Sequence, residues 1–271
     1  MLQVRLRRFA VALAMVVIAA GPIAARAQLP ATRDAGGLPA AWFEAASPQT
    51  SPLYEVRAIH DPNGTGRFYL GREIAQVMGA GGMPWLDRPE REAEELPEVV
   101  IEAMGLHAGE VVADLGAGSG YFTFRLAAKV GRTGKVLAVD IQDEMLAAIR
   151  QRAAALGVTN VQEVKDTETD PRLPLHSIDC VLLVDVYHEL AYPFEVMTRV
   201  REALRPGGRV VFVEYRKEDT HVRIKEVHKM SVEQLTKEMN AVGLDRAQTV
   251  ESLPSQHIVI FVRHGGGQPS G

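Results

Sequence analysis

A glycine-rich stretch between a short apolar strand and a helix decides the fold: Asp114-Leu115-Gly116-Ala117-Gly118-Ser119-Gly120. The strand is predicted over residues 111–114, and a helical pattern begins at residue 121. Glycine lets the backbone approach a ligand closely, and the first turn of a helix offers N–H groups that have no partner inside the helix. A strand, such a turn and a helix in this order predict a ligand site in an α/β fold.

The spacing of the glycines distinguishes this turn from two common phosphate sites. The dinucleotide fingerprint is G-x-G-x-x-G, whereas residues 116–120 read G-x-G-x-G, and Thr123 stands where a further glycine would restore a shifted register. No Gly-Lys-Ser/Thr follows, so the turn is not a phosphate P-loop either. The spacing therefore disfavours a nicotinamide-dependent reductase.

Outward from the turn, apolar strands alternate with amphipathic helices. The predicted strands are 111–114, 135–140, 161–165, 178–185 and 209–214, followed by a closing pair at 247–251 and 257–262. The predicted helices are 121–130, 143–156, 193–204 and 231–242. Strands of near-continuous Val, Ile and Leu that alternate with helices indicate a parallel sheet covered on both faces.

An acidic residue ends or directly follows each of the first five predicted strands: Asp114, Asp140, Asp166, Asp185 and Glu214. The carboxyl ends of parallel strands share one edge of the sheet, where ligands bind. Carboxylates at that edge would repel a pyrophosphate but suit ribose hydroxyls, an adenine amine, an ammonium or a sulfonium. S-adenosylmethionine carries all four groups. Turns also favour Asp, so no single one of these acids is decisive.

The sequence resembles the class I S-adenosylmethionine-dependent methyltransferases. Residues 114–120 look like the first motif of that family, Val139-Asp140 is similar to the second, and residues 204–209 (Leu-Arg-Pro-Gly-Gly-Arg) resemble its turn before the fifth strand. The likeness covers about residues 96–262 and is greatest to the small-molecule branch that includes the ubiquinone and menaquinone methyltransferases. It implies a Rossmann-like, doubly wound α/β fold whose seven-stranded sheet is mostly parallel, with the last strand antiparallel.

The resemblance also implies the role of each cofactor-binding residue. These residues are Asp114, Gly116, Ala117, Gly118, Gly120, Asp140, Ile141, Asp166, Thr167 and Asp185. Asp114 and the backbone at Gly116 and Gly118 should hold the methionine part of S-adenosylmethionine. Asp140 should accept the ribose hydroxyls, and Ile141 should pack on the adenine. Asp166, with Thr167 beside it, should meet the adenine amine.

Residues after the fourth and fifth strands are placed to face a methyl acceptor. His188 titrates near neutrality and is a candidate base, with Tyr187 positioning the acceptor. The alternative for His188 is a packing or capping role at the following helix. His221 and His228 fall in residues 217–229, a polar stretch predicted to form a flap over the site. No helical His, Asp and Glu cluster has the spacing of metal ligands, so no metal is predicted.

The residues before the shared fold are predicted to form an extension and cap, 28–95, ahead of the methyltransferase domain at 96–264. Within the extension, residues 68–78 are predicted to form a short helix, and the acid-rich run 90–95 a solvated helical face that leads into a helix at 96–104. Tyr69, Arg72 and Trp85 could close over the cofactor, although packing against the sheet is the simpler role for the aromatic residues. Cys180, the only cysteine, reads as a buried small apolar residue and excludes an intramolecular disulfide. Residues 265–271 form a predicted flexible tail.

Residues 1–27 have the features of a signal peptide. Three arginines precede an apolar run of 12 residues, and Ala25-Arg26-Ala27 offers a small-x-small cleavage site. The run is short of the roughly 20 residues that a membrane span requires. We therefore expect export to the periplasm or secretion and no stable membrane span after cleavage. An uncleaved leader that anchors the chain is the alternative.

The charge balance argues against nucleic-acid partners. The leader holds four of the 30 basic residues and none of the 34 acidic ones, so the mature chain carries 26 basic and 34 acidic residues. A chain with that excess of negative charge and no basic stripe is a poor ligand for DNA, RNA or anionic lipid. The leading hypothesis is a methyltransferase acting on a small molecule. The alternative is an exported, non-catalytic binding or scaffold protein, and the sequence specifies neither the acceptor nor the oligomeric state.

Overall fold

The computed structural model describes residues 53–263. A central β-sheet in this part of the chain carries the candidate site residues. The predicted leader (1–27), residues 28–52 of the predicted extension and the tail at 265–271 lie outside the described residues. The strands are β1 (Tyr54–Val56), β2 (Gly64–Tyr69), β3 (Arg72–Ala75), β4 (Val111–Leu115), β5 (Lys135–Asp140), β6 (Val161–Lys165), β7 (Ile178–Val184), β8 (Leu204–Arg216), β9 (Lys229–Met230), β10 (Leu244–Val250) and β11 (Gln256–Arg263).

Seven of these strands form the sheet in the order β10-β11-β8-β7-β4-β5-β6, and the two-residue strand β9 pairs with Tyr215 and Arg216 at the end of β8. The pairs from β8 to β6 are parallel, whereas β11 runs antiparallel to both β8 and β10. This confirms the predicted Rossmann-like α/β fold with its last strand antiparallel. The strand order changes direction around β4, which is where ligands bind in open α/β sheets.

The helices cover both faces of the sheet. They are α1 (Met83–Leu86), α2 (Arg91–Glu95), α3 (Pro97–Ala103), α4 (Thr123–Val130), α5 (Asp143–Leu156), α6 (Pro193–Ala203) and α7 (Val232–Ala241). Leu182 of β7 packs in a cluster with α3 and α4, and its neighbour Leu183 packs in another with α6 and α7. Alternate side chains of one strand thus serve opposite layers, as a sheet buried on both faces requires. Cys180 is buried in the first cluster, as predicted.

The predicted helix at residues 68–78 is wrong, because this stretch forms the hairpin of β2 and β3. Tyr69 pairs with Arg72, and the two residues between them, Leu70 and Gly71, have φ angles of 47° and 95°. Two successive positive φ angles are typical of the tight hairpin turn whose twist matches that of the strands. Leucine is a rare residue at such a position, so the sequence gives little sign of the turn. Together β1, β2 and β3 form a three-stranded antiparallel sheet.

The remaining predicted elements differ from the structure mainly at their ends. The fifth predicted strand begins five residues early, at Leu204, because the backbone there pairs with Ile178 before an irregularity restores the register at Arg209. Ser231 caps α7 by accepting the N–H of Gln234. Within residues 53–263, no helix combines the length and apolar character that a membrane crossing needs.

Candidate active site

A cavity of about 620 Å³ opens at the carboxyl ends of the parallel strands. Its volume lies within the range of roughly 300–1,000 Å³ that is usual for small-molecule sites. The glycine turn and the acidic residues Asp114, Asp140, Asp166 and Asp185 form its floor. We call residues 53–95 the cap and residues 217–229 the flap. The cap contributes Asn63, Gln76, Val77, Met78, Trp85, Leu86, Arg88, Arg91 and Glu95 to the walls, and the flap contributes Ile224, Lys225 and His228.

The glycine turn leaves β4 in a conformation that other residues adopt only with strain. Gly116, Gly118 and Gly120 have φ angles of 75°, 55° and 84°. A Cβ atom on Gly116 would lie 2.5 Å from Cγ2 of Val186, so the backbone passes too close to the neighbouring loop for any side chain. The hydroxyl of Thr123 donates to Oδ2 of Asp114 at 2.6 Å. In the sequence this threonine is of note only because no glycine stands at its position. The hydrogen bond to Asp114 ties the start of α4 to the end of β4.

Asp140 connects the second strand of the motif to the glycine turn. Its Oδ2 accepts the N–H of Gly118 at 2.9 Å, and its Oδ1 accepts the N–H of Gln142 at 2.8 Å. Burial raises the pKa of Asp140, while these backbone bonds oppose that shift. Ile141, the next residue, is partly exposed and lines the cavity. The predicted ribose and adenine positions therefore adjoin each other in the structure.

Two of the acidic residues that line the cavity each have one buried carboxylate oxygen without a hydrogen-bond partner among the described residues. The two oxygens are Oδ1 of Asp166 and Oδ1 of Asp185. Burial, and then the charge of Asp140, raise the pKa of Asp166 to about 7. Burial and the neighbouring Glu95 and Glu214 raise the pKa of Asp185 well above its usual value. Buried acceptors without partners are costly in a folded protein, so they indicate sites for a ligand's N–H or O–H donors.

The acid-rich run of the cap is not a fully solvated helical face, because Glu95 is buried. Its Oε2 accepts from Nε of Arg91 at 2.7 Å, and Nη1 of Arg91 donates to the carbonyl of Leu86 at 2.8 Å. The Arg91 guanidinium lies 4.1 Å from the centre of the Tyr121 ring and lines the cavity. The cap thus places a held cation beside the glycine turn, and the sequence pattern alone did not reveal it.

His188 is buried in the cavity wall, in a turn after β7. Its Nδ1 lies 2.5 Å from Oε2 of Glu214, and its Nε2 lies 3.0 Å from Nδ1 of His228 in the flap. Burial opposes a charge on His188, but the charge and hydrogen bond of Glu214 outweigh it and raise its pKa. Burial and the proximity of His188 lower the pKa of His228 to about 4. His188 therefore lines the cavity, as a candidate base would, and its role is not limited to packing against α6.

Glu189 lies beside this histidine pair. Its Oε1 is 3.9 Å from Nε2 of His188 and 3.7 Å from Nδ1 of His228, and its Oε2 accepts the N–H of Met78 at 3.2 Å. No metal site is predicted from the sequence, because no His, Asp and Glu residues have the spacing of ligands on one helix. The three side chains instead converge from one tight turn and from the flap, 39 to 40 residues apart along the chain. A histidine directly followed by a glutamate at a strand end was the available signal.

Tyr187 does not reach the cavity, so its predicted contact with the acceptor is not seen. Its hydroxyl donates to Oε2 of Glu238 at 2.6 Å, and its ring packs edge-on against Phe212. Arg72 forms an ion pair with Glu238 in the same buried place, and Tyr69 is also buried. Of the cap residues considered, Trp85 lines the cavity. In the flap, His221 is exposed and bonds to Asp219, whereas His228 lines the cavity.

The remaining predicted cofactor residues, except Gly120, line the same cavity. Gly116, Ala117 and Gly118 of the turn line it, as does Thr167 beside Asp166. Gly120 is not among the lining residues. A Cβ atom on it would lie 2.7 Å from the Phe124 ring, so it allows α4 to pack closely behind the turn.

A sequence profile described as a methyltransferase domain matches residues 106–257, which is more than half of the chain. The chain belongs to this methyltransferase family. It is 30% identical over 118 residues to the ubiquinone/menaquinone biosynthesis C-methyltransferase UbiE of Salmonella arizonae, a match that covers 43% of this chain and 47% of that protein. The chain thus spans about half the length of the curated relatives it matches.

Solved structures of other methyltransferases share the fold. A SAM-dependent methyltransferase from Aquifex aeolicus is 25% identical with a TM-score of 0.65, and the match covers 68% of this chain and 98% of that one. An S-adenosylmethionine-dependent methyltransferase from Mesorhizobium loti is 19% identical with a TM-score of 0.50, covering 68% of this chain and all of the other. The chain accordingly contains a class I S-adenosylmethionine-dependent methyltransferase domain.

The cofactor of the methyltransferase is S-adenosylmethionine, and the cavity residues fit it. The unpartnered oxygens of Asp166 and Asp185 suit a ligand that carries N–H donors and positive charge. The three glycines of the turn carry no side chains, which leaves room for a ligand close to the backbone above β4. No lysine lies in or directly after the turn, where a phosphate P-loop carries one.

Proposed function

We propose that this methyltransferase transfers a methyl group to a small-molecule acceptor bound between the cap and the flap. The observation that carries the proposal is that both segments wall the cavity above the glycine turn. Val77, Met78 and Trp85 of the cap supply an apolar wall, and Ile224 of the flap faces the same space. A large acceptor would have to pass these side chains to reach the reacting centre. A small, partly apolar one fits within them.

S-adenosylmethionine supplies a methyl carbon on a sulfonium sulfur, which a nucleophile displaces in line. We assign Asp140 to the ribose hydroxyls, Asp166 with Ile141 to the adenine, and the backbone at Gly116 and Gly118 to the methionine part. Arg91, held over Tyr121, is suited to the methionine carboxylate because guanidinium and carboxylate form charge-assisted hydrogen bonds.

The acceptor side of the cavity contains His188 and His228. Glu214 and His228 occupy the two ring nitrogens of His188, so Nε2 of His228 is the ring nitrogen to which an acceptor hydroxyl or amine would bond there, and His188 holds the His228 ring in place. The enzyme's main task in an in-line displacement is to align the nucleophile with the methyl carbon. We therefore assign His188 and His228 to orient the acceptor, and Tyr187 to support the wall behind them.

The proposal is tested by binding and turnover measured separately. Calorimetry with S-adenosylmethionine should show binding by the wild-type protein and a loss of about 100-fold or more in Asp140→Ala, because two charge-assisted hydrogen bonds are removed. Asp140→Asn keeps the shape and controls for folding. Asp245→Ala, at an exposed acid of the edge strand β10, should bind like the wild type.

Turnover is then assayed with a panel of quinone, phenol and amine acceptors, with detection of the methylated product by mass spectrometry. A methylated small molecule supports the proposal. Cofactor binding with no product from any member of the panel, together with methylation of a protein or nucleic acid from a cell extract, would overturn it. Binding without any methylation would instead favour the non-catalytic binding protein.

We further propose that the chain is exported, on the strength of the leader features in residues 1–27 alone. Cell fractionation combined with N-terminal sequencing of the mature protein tests this. A mature chain that begins at Gln28 in the periplasm or medium is the expected result. A chain that keeps Met1 and sediments with the membrane would support the anchored alternative, and one that keeps Met1 in the cytosol would exclude both.

A further inference from the structure

Three potential metal ligands meet on the acceptor side of the cavity. They are Nε2 of His188, Nδ1 of His228 and Oε1 of Glu189, separated by 3.0, 3.7 and 3.9 Å. A triangle with these sides has a circumradius of about 2.1 Å, so an ion at its centre would lie about 2.1 Å from each atom. Zn–N bonds are about 2.0–2.1 Å long and Zn–carboxylate bonds about 2.0–2.2 Å. The described side chains thus stand at bonding distance from a common point.

Neighbouring groups hold these side chains in the orientation that metal ligands need. His188 is buried, and its other ring nitrogen donates to the fully buried Glu214, which fixes the ring with Nε2 directed at the cluster. A histidine between a carboxylate and a metal is the usual arrangement of the outer shell of metal sites. Glu189 is held in the same way, since its second oxygen accepts the backbone N–H of Met78 in the cap. Both ligands are therefore oriented before any ion binds.

The chemistry of the ligands selects among metals. Two imidazole nitrogens and one carboxylate oxygen are the ligand set of catalytic zinc sites that keep a fourth position for substrate or water. Mg²⁺ and Ca²⁺ prefer oxygen ligands alone, so they fit poorly here. Cys180, the only cysteine, is buried within the sheet and is not part of the cluster. The set suits Zn²⁺, or another divalent ion of the first transition series such as Co²⁺.

We propose that His188, Glu189 and His228 bind a divalent transition-metal ion, with Zn²⁺ as the preferred ion, at the acceptor side of the cavity. All three residues line the cavity, so an ion held by them would lie at the cavity wall, within reach of a molecule that enters it. On the proposed function, which this last step assumes, the ion would hold an acceptor oxygen or sulfur as its anion, with the acceptor's proton released to solvent on binding. That anion would take the methyl group from the sulfonium, and the bond pair of the broken S–CH₃ bond would stay on the sulfur of the leaving thioether. The expected acceptors are then phenols, enols or thiols rather than amines.

Metal binding is tested on tag-free protein that has been stripped with a chelator and dialysed. Competition with a chromophoric zinc chelator should show one Zn²⁺ per chain, and Co²⁺ should give the visible absorption of a four- or five-coordinate site. His228→Ala and Glu189→Gln should each weaken Zn²⁺ binding by about 100-fold or more. His221→Ala is the matched control, because His221 lies in the same flap but is exposed and turned to Asp219. It should bind Zn²⁺ like the wild type.

Binding of S-adenosylmethionine by each variant shows that it is folded, because the cofactor residues are elsewhere in the cavity. Wild-type protein that binds Zn²⁺ no more tightly than His228→Ala, with S-adenosylmethionine binding intact in both, would overturn the metal site. The three side chains would then be a hydrogen-bonded group only. Methyl transfer that persists in chelator-treated protein would leave the proposed function standing while rejecting a metal-held acceptor. Zn²⁺ binding without methyl transfer to any acceptor would leave the metal site standing while rejecting the proposed function.

Discussion

The Nδ1 atom of His188 lies 2.5 Å from Oε2 of Glu214, a carboxylate with no exposed surface near the end of β8. The second oxygen of Glu214 accepts the backbone N–H of Tyr187 at 2.9 Å. One carboxylate therefore holds both the backbone and the side chain of the turn after β7. It also fixes which nitrogen of His188 faces the cavity, because the one bonded to Glu214 is turned away from it.

Glu214→Gln should destabilise the protein more than loss of a surface ion pair does. Removing one partner of a buried charge pair typically lowers the free energy of unfolding by about 3–5 kcal/mol. Glu251→Gln removes the partner of Arg216 at a half-exposed carboxylate and should cost about 1 kcal/mol or less. Urea denaturation at pH 7 measures both. Equal losses in the two variants would show that Glu214 is no more important to the turn than a surface acid.

The same variant should loosen the proposed metal site without disturbing the cofactor. Substitution of an outer-shell partner typically costs 10- to 100-fold in metal affinity. Glu214→Gln should therefore bind Zn²⁺ about 10- to 100-fold more weakly, as measured by chelator competition, while S-adenosylmethionine binding changes by less than about threefold. A parallel loss of both affinities would point to general disruption of the cavity.

Gly116→Ala should damage both stability and cofactor binding, whereas Gly157→Ala should only reduce stability. Both glycines have positive φ angles, but a Cβ atom would meet Val186 at 2.5 Å in the first case and nothing within 4 Å in the second. The left-handed conformation alone costs about 1–2 kcal/mol. We expect a similar loss for Gly157→Ala, a larger one for Gly116→Ala, and at least tenfold weaker S-adenosylmethionine binding in the latter only. Calorimetry of both variants would reveal equal binding if the close approach at Gly116 were unimportant.

The central sheet could be predicted from the sequence because its signals are local and repeated. Buried parallel strands read as continuous apolar runs, and β5, β6 and α5 were placed at their observed bounds. The acids at the strand ends could be predicted too, since a parallel sheet must bring its carboxyl ends together. What these positions share is that one short window of sequence determines each of them.

The cap and the histidine cluster could not be predicted, because they depend on contacts between distant segments. Arg91 reaches the cavity only because Glu95 is buried beside it, and an acid-rich run gives no sign of that. His228 joins His188 across 40 residues of chain. The hairpin turn at Leu70 cannot be predicted locally, because leucine strongly prefers negative φ angles and here has a φ of 47°. In each case tertiary packing overrides the local pattern.

Ionisation of Asp114 should make the protein less stable as the pH rises. Burial raises the pKa of Asp114 from its ordinary value of 3.8 to about 6. The folded state therefore holds the proton more tightly than the unfolded chain, and the free energy of unfolding falls as the pH rises from about 4 to about 6, by on the order of 3 kcal/mol. Asp114→Asn removes this contribution, so its stability relative to wild type should increase across that window and then level off.

A second acid gives the opposite slope and serves as the control. The backbone N–H of His221 lowers the pKa of the exposed Asp219. Asp219→Asn should therefore lose stability relative to wild type as the pH rises through the acid range, because the native carboxylate gains its bond there. Urea denaturation of cofactor-free protein from about pH 2.5 to about pH 8 measures both differences, the one for Asp219→Asn below about pH 4 and the one for Asp114→Asn above it. A flat difference for Asp114→Asn would mean that its carboxyl ionises as readily in the folded protein as in the unfolded chain.

The ion pair between Arg72 and Glu238 should be strongly coupled, because it joins the cap to α7 in a buried place. Nε and Nη2 of Arg72 donate to the two oxygens of Glu238 at 2.8 and 2.9 Å, and Nη1 donates to the backbone carbonyl of His188 at 3.3 Å. Arg72→Met or Glu238→Leu alone leaves a buried charge without its partner. Each should lower the free energy of unfolding by about 3–5 kcal/mol.

The double variant Arg72→Met/Glu238→Leu should cost clearly less than the two single losses together, because it leaves no unpaired charge. The exposed pair Arg199 and Glu202 of α6, 3.0 Å apart, is the matched control, with a coupling of about 0.5 kcal/mol. Urea denaturation of both double-mutant cycles at pH 7 measures the couplings. Additive losses at Arg72 and Glu238 would mean that water reaches the pair and that the cap is held by its apolar contacts instead. A large coupling would identify the pair as the link through which the cap supports the backbone of His188.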